Sequence, residues 1–402
     1  MVEAATSVMP VLSQYINNVV LPEKVWARDF AIHISDLFLS VGSLIGFLGS
    51  NVPLRSFLEL ALKKPRILIV APNWIGDSVL SLPVLDGCCQ VWPGADITVL
   101  ARAPVAELFE AREPEVRVLE YERGSGLQRL TNLMSLCRKL RKERFELSLL
   151  LPNSLSSAVM ARLAGVPQRV GYSTDGRGWL LTRRLEDRRK EGGLHQVDYY
   201  LGLLGTIGAC RVDRIPRLKL KSEVAERGLA LLDVLAIDRN KQLIGIHPGA
   251  AYGETKRWFP ERFAQVMDLL KKPGRRFILL GGPGEEALAE RVSTITAQPP
   301  INTVGKTRIA EALVLISRCS LFLSNDSGLM HAAAALGIPQ VALFGSTDPG
   351  KTGPLNDKAV VIQPTGVTCT PCFKRECHAN LECMKGITVE EVYVAAEKLL
   401  SS

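Results

Sequence analysis

Three charged residues, Asp77, Lys256 and Asp326, each stand where an apolar run gives way to a glycine-containing loop. Asp77 follows Ile67-Leu68-Ile69-Val70 and the loop Asn73-Trp74-Ile75-Gly76. A carboxylate in that place can take a proton from a bound hydroxyl, or it can cap the following helix by accepting a first-turn N–H. Position alone gives the two readings equal weight. Lys256 closes a second such segment, Leu243 to Lys256. There Gly249 and Gly253 let backbone N–H groups approach a phosphate, and the lysine adds a mobile cation. Asp326, Ser327 and Gly328 mark a third, where a helix start aims free N–H groups at any bound anion. His331, just inside that helix, is of a type that more often serves packing than chemistry. Neither a Walker P-loop nor a G-x-G-x-x-G fingerprint is present.

The elements that must position these residues follow from the patterning. Four apolar residues without alternation at Ile67 read as a strand buried on both faces, the mark of a parallel sheet covered by helices. Further strands are expected near Ile97, Val116, Leu147 and Val170, with helices over roughly 78–91, 103–111, 126–143 and 154–164. Phe277 to Glu286 is another strand and turn. The extended, polar segment Arg214 to Leu220 marks a linker, which gives an extension over 1–65 and two domains, 66–222 and 223–402. Right-handed crossovers make both sheets parallel. Open α/β sheets bind ligands at the carboxyl ends of their strands, so the cleft between the halves is the expected site.

The chain has 402 residues, 47% of them hydrophobic, enough for two substantial cores, and a net charge of +8 that suits an anionic partner. Basic residues cluster at Arg138 to Arg144, a solvated helix end by pattern, and at Arg183 to Lys190, nearer the cleft mouth, where a phosphorylated lipid could be met. Neither cluster has the interleaved aromatics of a nucleic-acid platform, and no nucleic acid is expected as a partner. Four of the nine cysteines fall in one loop, Cys369, Cys372, Cys377 and Cys383. Four thiolates so spaced can close a structural zinc or iron site. Packed thiols or disulfides are the competing readings. In the extension, the apolar core from Leu37 to Gly49 is 13 residues, short of the ~20 that a spanning helix needs. A secretory signal is not expected either. The extension reads as amphipathic, either packed on the body or resting at a membrane interface.

Taken together, P-N-W-I-G-D-S-V-L-S-L-P, L-P-N-S-L-S-S-A, A-G-V-P-Q-R-V-G-Y, H-P-G-A, T-K-R-W-F-P, L-L-G-G-P-G-E-E and S-N-D-S-G-L-M-H-A-A-A-A-L-G-I-P carry a resemblance in their order and spacing. From about Arg66 onward the chain resembles the ADP-heptose glycosyltransferases of lipopolysaccharide core assembly, glycosyltransferase family 9. It looks most like the heptosyltransferase II branch. The resemblance implies an α/β fold of two Rossmann-like domains facing across a cleft (GT-B type), with the last helix returning to the first domain. It implies an inverting, metal-independent transfer of heptose from ADP-heptose to a heptose of the lipid A-linked inner core. The enzyme would be cytoplasmic, in peripheral contact with the inner membrane. Asp77 would be the base and Lys256 the cation at the leaving diphosphate. The donor would meet Gly76, Gly249, Ala250, Lys256, Asp326, Ser327, Gly328 and His331, with Glu285 or Glu286 at the ribose and Thr307 at the adenine. Relatives carry hydroxyl residues where this chain has Gly249 and Ala250. Asn153, Tyr172, His195 and Tyr199 are the expected acceptor contacts, with helix packing the competing role for Tyr199. The same donor with a protein or other glycan acceptor is the alternative, and a non-catalytic nucleic-acid-binding protein is the remote one.

Overall fold

The computed structural model describes residues 64–189, 192–208 and 212–401. The expectations for the N-terminal extension therefore fall outside the described residues, except at Lys64 and Pro65.

Strand β1 (Arg66–Val70) is apolar on both faces because both are covered, and Ile67 and Leu68 are fully buried. It lies at the centre of a six-stranded parallel sheet with β2 (Asp96–Ala101), β4 (Arg117–Glu120), β5 (Leu147–Leu150), β6 (Gln168–Tyr172) and β7 (Arg183–Leu185), in the order β4-β2-β1-β5-β6-β7. The second half repeats the plan. Strands β9 (Gln242–His247), β10 (Arg275–Leu279), β11 (Ile301–Asn302), β12 (Cys319–Asn325), β13 (Gln340–Leu343) and β14 (Ala359–Ile362) form a parallel sheet ordered β11-β10-β9-β12-β13-β14. Both orders are the doubly wound 3-2-1-4-5-6 arrangement, whose winding reverses between its first and fourth strands. The reversal falls between β1 and β5 in one sheet and between β9 and β12 in the other. Asp77, Lys256 and Asp326 follow the carboxyl ends of β1, β9 and β12.

The polar segment read as a linker is partly structured. Its end, β8 (Lys219–Leu220), pairs antiparallel with β3 (Arg112–Glu113), and the Leu218 N–H donates to the Ala335 carbonyl of the second half at 2.8 Å. The basic run at 138–144 lies at the exposed end of helix Gly126–Lys142, as its pattern implied. The last helix, Val389–Ser401, corrects an expectation. It packs on the second sheet, burying Val392 and Ala396 in the core with Phe263, Val266, Leu323 and Leu343. Arg275, buried at the start of β10, reaches across to Glu397 and holds the helix there.

The halves meet at two helix starts. Helix Ile75–Leu80 packs against helix Gly328–Ala335, and the contact depends on glycine at both positions. A Cβ on Gly76 would sit 2.8 Å from His331 Cδ2, and one on Gly328 would sit 3.2 Å from the Gly76 nitrogen.

Candidate active site

A cavity of about 810 Å³ lies between the two halves. From the first half it is lined by Trp74, Gly76, Asp77 and Glu107, and from the second by His247, Lys256, Glu285, Thr307, Asp326, Ser327, Gly328 and His331, among others.

Asp77 sits in the first turn of helix Ile75–Leu80, but Trp74 holds the N-cap position and no side chain caps that helix. The carboxylate is therefore free of the capping duty that its position suggested. It is half-buried, and the Tyr200 hydroxyl donates to Oδ1 at 3.2 Å. Burial raises its pKa above the ordinary carboxylate range; the Tyr200 hydrogen bond and the charges of Lys256 and Arg189 oppose that rise without cancelling it. A carboxylate whose proton affinity is raised in a cleft has the character of a general base.

Lys256 faces Asp77 from the other half. Its flanks explain its direction. Trp258 is buried, its indole N–H donating to the Ile387 carbonyl at 3.1 Å, while Thr255 is buried with its hydroxyl on the Lys374 carbonyl. With its neighbours anchored inward, the lysine projects into the cavity. Its ammonium pairs with Asp326 Oδ2 at 2.5 Å, and the Thr347 hydroxyl donates to the same oxygen at 2.6 Å. Asp326 is nearly inaccessible, so it serves as the fixed anion that aims Lys256.

Ser327 caps helix Gly328–Ala335 by accepting from the Met330 N–H, and the helix start opens on the cavity. His247, which ends β9, joins Ser327 Oγ (2.9 Å from Nδ1) to Glu285 Oε2 (3.2 Å from Nε2). Burial works to raise the Glu285 pKa, but the His247 and Gly282 hydrogen bonds and nearby positive charge hold it below the ordinary value. Of the two ribose candidates, Glu285 lines the cavity, whereas Glu286 turns back to accept from the Gly284 N–H. Glu285 also explains the glycine at 249, where a Cβ would lie 2.0 Å from its Oε1. Gly249 and Ala250 do not themselves line the cavity; their carbonyls accept from Asn325 and Arg257. His331 is buried, and burial depresses its pKa to about 4, so the ring is neutral at physiological pH. Its Nδ1 has no hydrogen-bond partner among the described residues.

The four expected acceptor residues, Asn153, Tyr172, His195 and Tyr199, are not among those that line this cavity. Tyr172 and Tyr199 are buried and stacked, with ring centroids 3.8 Å apart. The Tyr172 hydroxyl donates to the Tyr199 carbonyl and the Tyr199 hydroxyl donates to Asn153 Oδ1, so both are committed internally. His195 caps helix Gln196–Gly205 through Nδ1, while its Nε2 lies 3.1 Å from the Gly353 carbonyl of the second half. The basic run at 183–190 divides. Arg183 is buried with its guanidinium on the Thr206 carbonyl, whereas Arg189 pairs with Asp187 and lies over the Tyr199 ring at 4.1 Å.

Sequence reasoning passed over His247 and Tyr200. The histidine stands in H-P-G-A at the end of a strand, a position that could have flagged it. Tyr200 gave no signal, because a tyrosine inside an apolar-periodic helix reads as packing.

In the cysteine loop, burial and then the neighbouring Cys369, Cys377 and Cys372 thiols raise the Cys383 pKa, so the four thiols lie near one another. Among the described residues no group of three or more His, Cys, Asp or Glu side chains is placed to hold an ion. Cys383 is buried against Gly345, Cys369 is exposed, and the Cys377 sulfur accepts from the Ala379 and Leu381 N–H groups. What the loop does is brace the lysine segment. Tyr252 donates to the Phe373 carbonyl, Thr255 to that of Lys374, and the Cys377 N–H to Glu254.

Comparison with known proteins places the fold. The profile of glycosyltransferase family 9 (heptosyltransferase) matches residues 133–382. The lipooligosaccharide heptosyltransferase 2 of Haemophilus influenzae is 33% identical over 309 residues, 74% of this chain and 88% of that protein. The lipopolysaccharide heptosyltransferase 2 of Escherichia coli K12 is 32% identical over 308 residues, with the same coverage. The solved structure of E. coli ADP-heptose lps heptosyltransferase II superposes with a TM-score of 0.71 at 28% identity, covering 84% of this chain and 98% of that one. Two facing doubly wound sheets, a cleft that joins them and relatives of this kind make the chain a glycosyltransferase, and it belongs to glycosyltransferase family 9, the heptosyltransferases.

Proposed function

We propose that the cleft transfers L-glycero-D-manno-heptose from ADP-heptose to a heptose hydroxyl of a lipid A-linked inner core, with inversion at the anomeric carbon. The observation that carries this reading is that Asp77 and Lys256 reach one cavity from the two opposed switch points. In the proposed step the acceptor hydroxyl loses its proton to Asp77 and its oxygen bonds to the anomeric carbon. The bond from that carbon to the diphosphate breaks, and the electron pair leaves with ADP. Lys256 and the N–H groups at the start of helix Gly328–Ala335 offset the charge that builds on the leaving group. Domains 66–222 and 223–402 thereby divide the work, the first holding the acceptor and the second the donor.

The same charges are why transfer is read as needing no metal. A chelator should leave turnover intact, and activity lost to it and restored by a divalent cation would overturn that part. Among the described residues no helix is long and apolar enough to cross a membrane. Exposed Trp179, near Arg184 and Arg188 in the chain, supports peripheral contact with the cytoplasmic face of the inner membrane, where a lipid-linked acceptor would be met.

Asp77→Asn tests the mechanism, because it keeps the shape of the side chain and removes the base. Turnover should fall by ~10² or more while donor affinity holds. Near-normal turnover would return Asp77 to a structural role.

A further inference from the structure

The helix Gln196–Gly205 has no place in the chemistry described so far, yet one of its side chains touches a residue of the cavity wall. His195, its N-cap, touches the Gly353 carbonyl of the second half; Tyr199 holds Asn153; and Tyr200, buried to 4% exposure, reaches Asp77. We infer that Tyr200 is the positioning residue for Asp77, donating to Oδ1 so that Oδ2 is left turned to the acceptor hydroxyl. No described residue hydrogen-bonds Oδ2. The inference rests on the reading of Asp77 as the base.

The chemistry of the pair favours this division. Tyr200 is kept protonated by burial and by the neighbouring carboxylate, so its hydroxyl stays a donor across the working pH range. Gln196, one turn earlier, works the other way and favours the ionised phenol, but burial and the carboxylate outweigh it. When Asp77 takes the acceptor proton on Oδ2, Oδ1 becomes a carbonyl oxygen and still accepts from Tyr200. The rotamer is held through the step and no proton is exchanged with the tyrosine. The bond is stronger to the carboxylate than to the acid, so it also restrains the basicity that burial confers.

The other charged groups around Asp77 are accounted for. Lys256 and Asp326 face it from the second half, and Arg189 faces it from the segment before the tyrosine helix. His331, on the opposing helix, is neutral, and Glu107 is tied to Arg308 at 3.0 Å. Tyr200 is the group that touches the carboxylate from within its own half.

The test is Tyr200→Phe in the full chain, which removes one oxygen and keeps the ring. A hydrogen bond to a charged group sets the scale, so kcat should fall about tenfold or more, with the KM for ADP-heptose within about twofold. The acid limb of the pH–rate profile should move to higher pH, because Asp77 loses a group that favours its ionised form. A packing role would not move that limb. Thermal melting of the variant reports whether the fold is kept, and Asp77→Asn with and without Tyr200→Phe separates the two readings. If Asp77→Asn is nearly inactive and adding Tyr200→Phe costs no more, the pair works as a unit. A dead Asp77→Asn beside a Tyr200→Phe enzyme with wild-type kcat and profile overturns the inference alone. An active Asp77→Asn overturns it together with the base.

Discussion

At the scale of single residues, the site depends on side chains held by neighbours that do no chemistry. Lys256 is aimed by Asp326, and Asp326 is steadied by Thr347. If the ammonium acts on charge that develops only as the glycosidic bond breaks, Lys256→Ala should lower kcat more than it weakens donor binding. Isothermal titration with ADP and ADP-heptose, set beside steady-state rates, checks this. Equal losses of affinity with kcat preserved would make the lysine an anchor only. Gly249 gives a second prediction. Its missing side chain is the space that Glu285 fills, so Gly249→Thr should push the carboxylate off His247 and raise the KM for the donor with little change in fold. Asp77, Lys256 and Asp326 were legible in the sequence because each follows an apolar strand. Tyr200 was not, since its partner lies 123 positions away and only the packing of two helices joins them. The ring directions of Tyr172 and Tyr199 were hidden for a related reason: motif position locates a residue in the chain but says nothing about which way its ring turns.

At the scale of elements, two segments support the lysine loop and the second core. The loop from Cys369 to Cys383 braces residues 252–255, and Gly253 touches it so closely that a Cβ there would sit 2.4 Å from the Arg375 carbonyl oxygen. Gly253→Ala should therefore disturb Lys256 and lower turnover more than melting temperature, an order that parallel kinetics and calorimetry would show. The last helix gives a pH-dependent prediction. The Arg275 hydrogen bond, helped by Lys272, holds the Glu397 carboxyl below its ordinary value of 4.5. A depressed carboxylate stabilises the fold above its unfolded pKa and loses that contribution as pH falls through the folded value. Glu397→Gln should thus cost at most about 1 kcal/mol near neutrality, read as a lower Tm, and the gap from wild type should narrow as pH falls below the ordinary glutamate value and vanish below the depressed one. A gap independent of pH would mean that packing holds the helix. The sequence revealed the strands and most helices here, because unbroken apolar runs and 3.6-residue periods are local. Where the last helix docks is decided by long-range partners such as Arg275, so its expected return to the first half was wrong.

At the scale of the molecule, two parallel sheets of the same winding order present their switch points to one another, and the contact of Gly76 with Gly328 brings them close. That duplication was visible in the chain as a strand-to-glycine-loop segment that recurs, and it placed the cleft correctly. No comparable local rule marks the residues that would meet a large, variable acceptor. The most direct measurement is to incubate the purified chain with ADP-heptose and a panel of truncated lipopolysaccharide cores, following ADP release and product mass. One heptose should be added, with equimolar ADP, to cores that already end in an inner-core heptose and to none that lack it. Transfer confined to a protein or another glycan, or ADP release without any heptosylated core, would contradict the account.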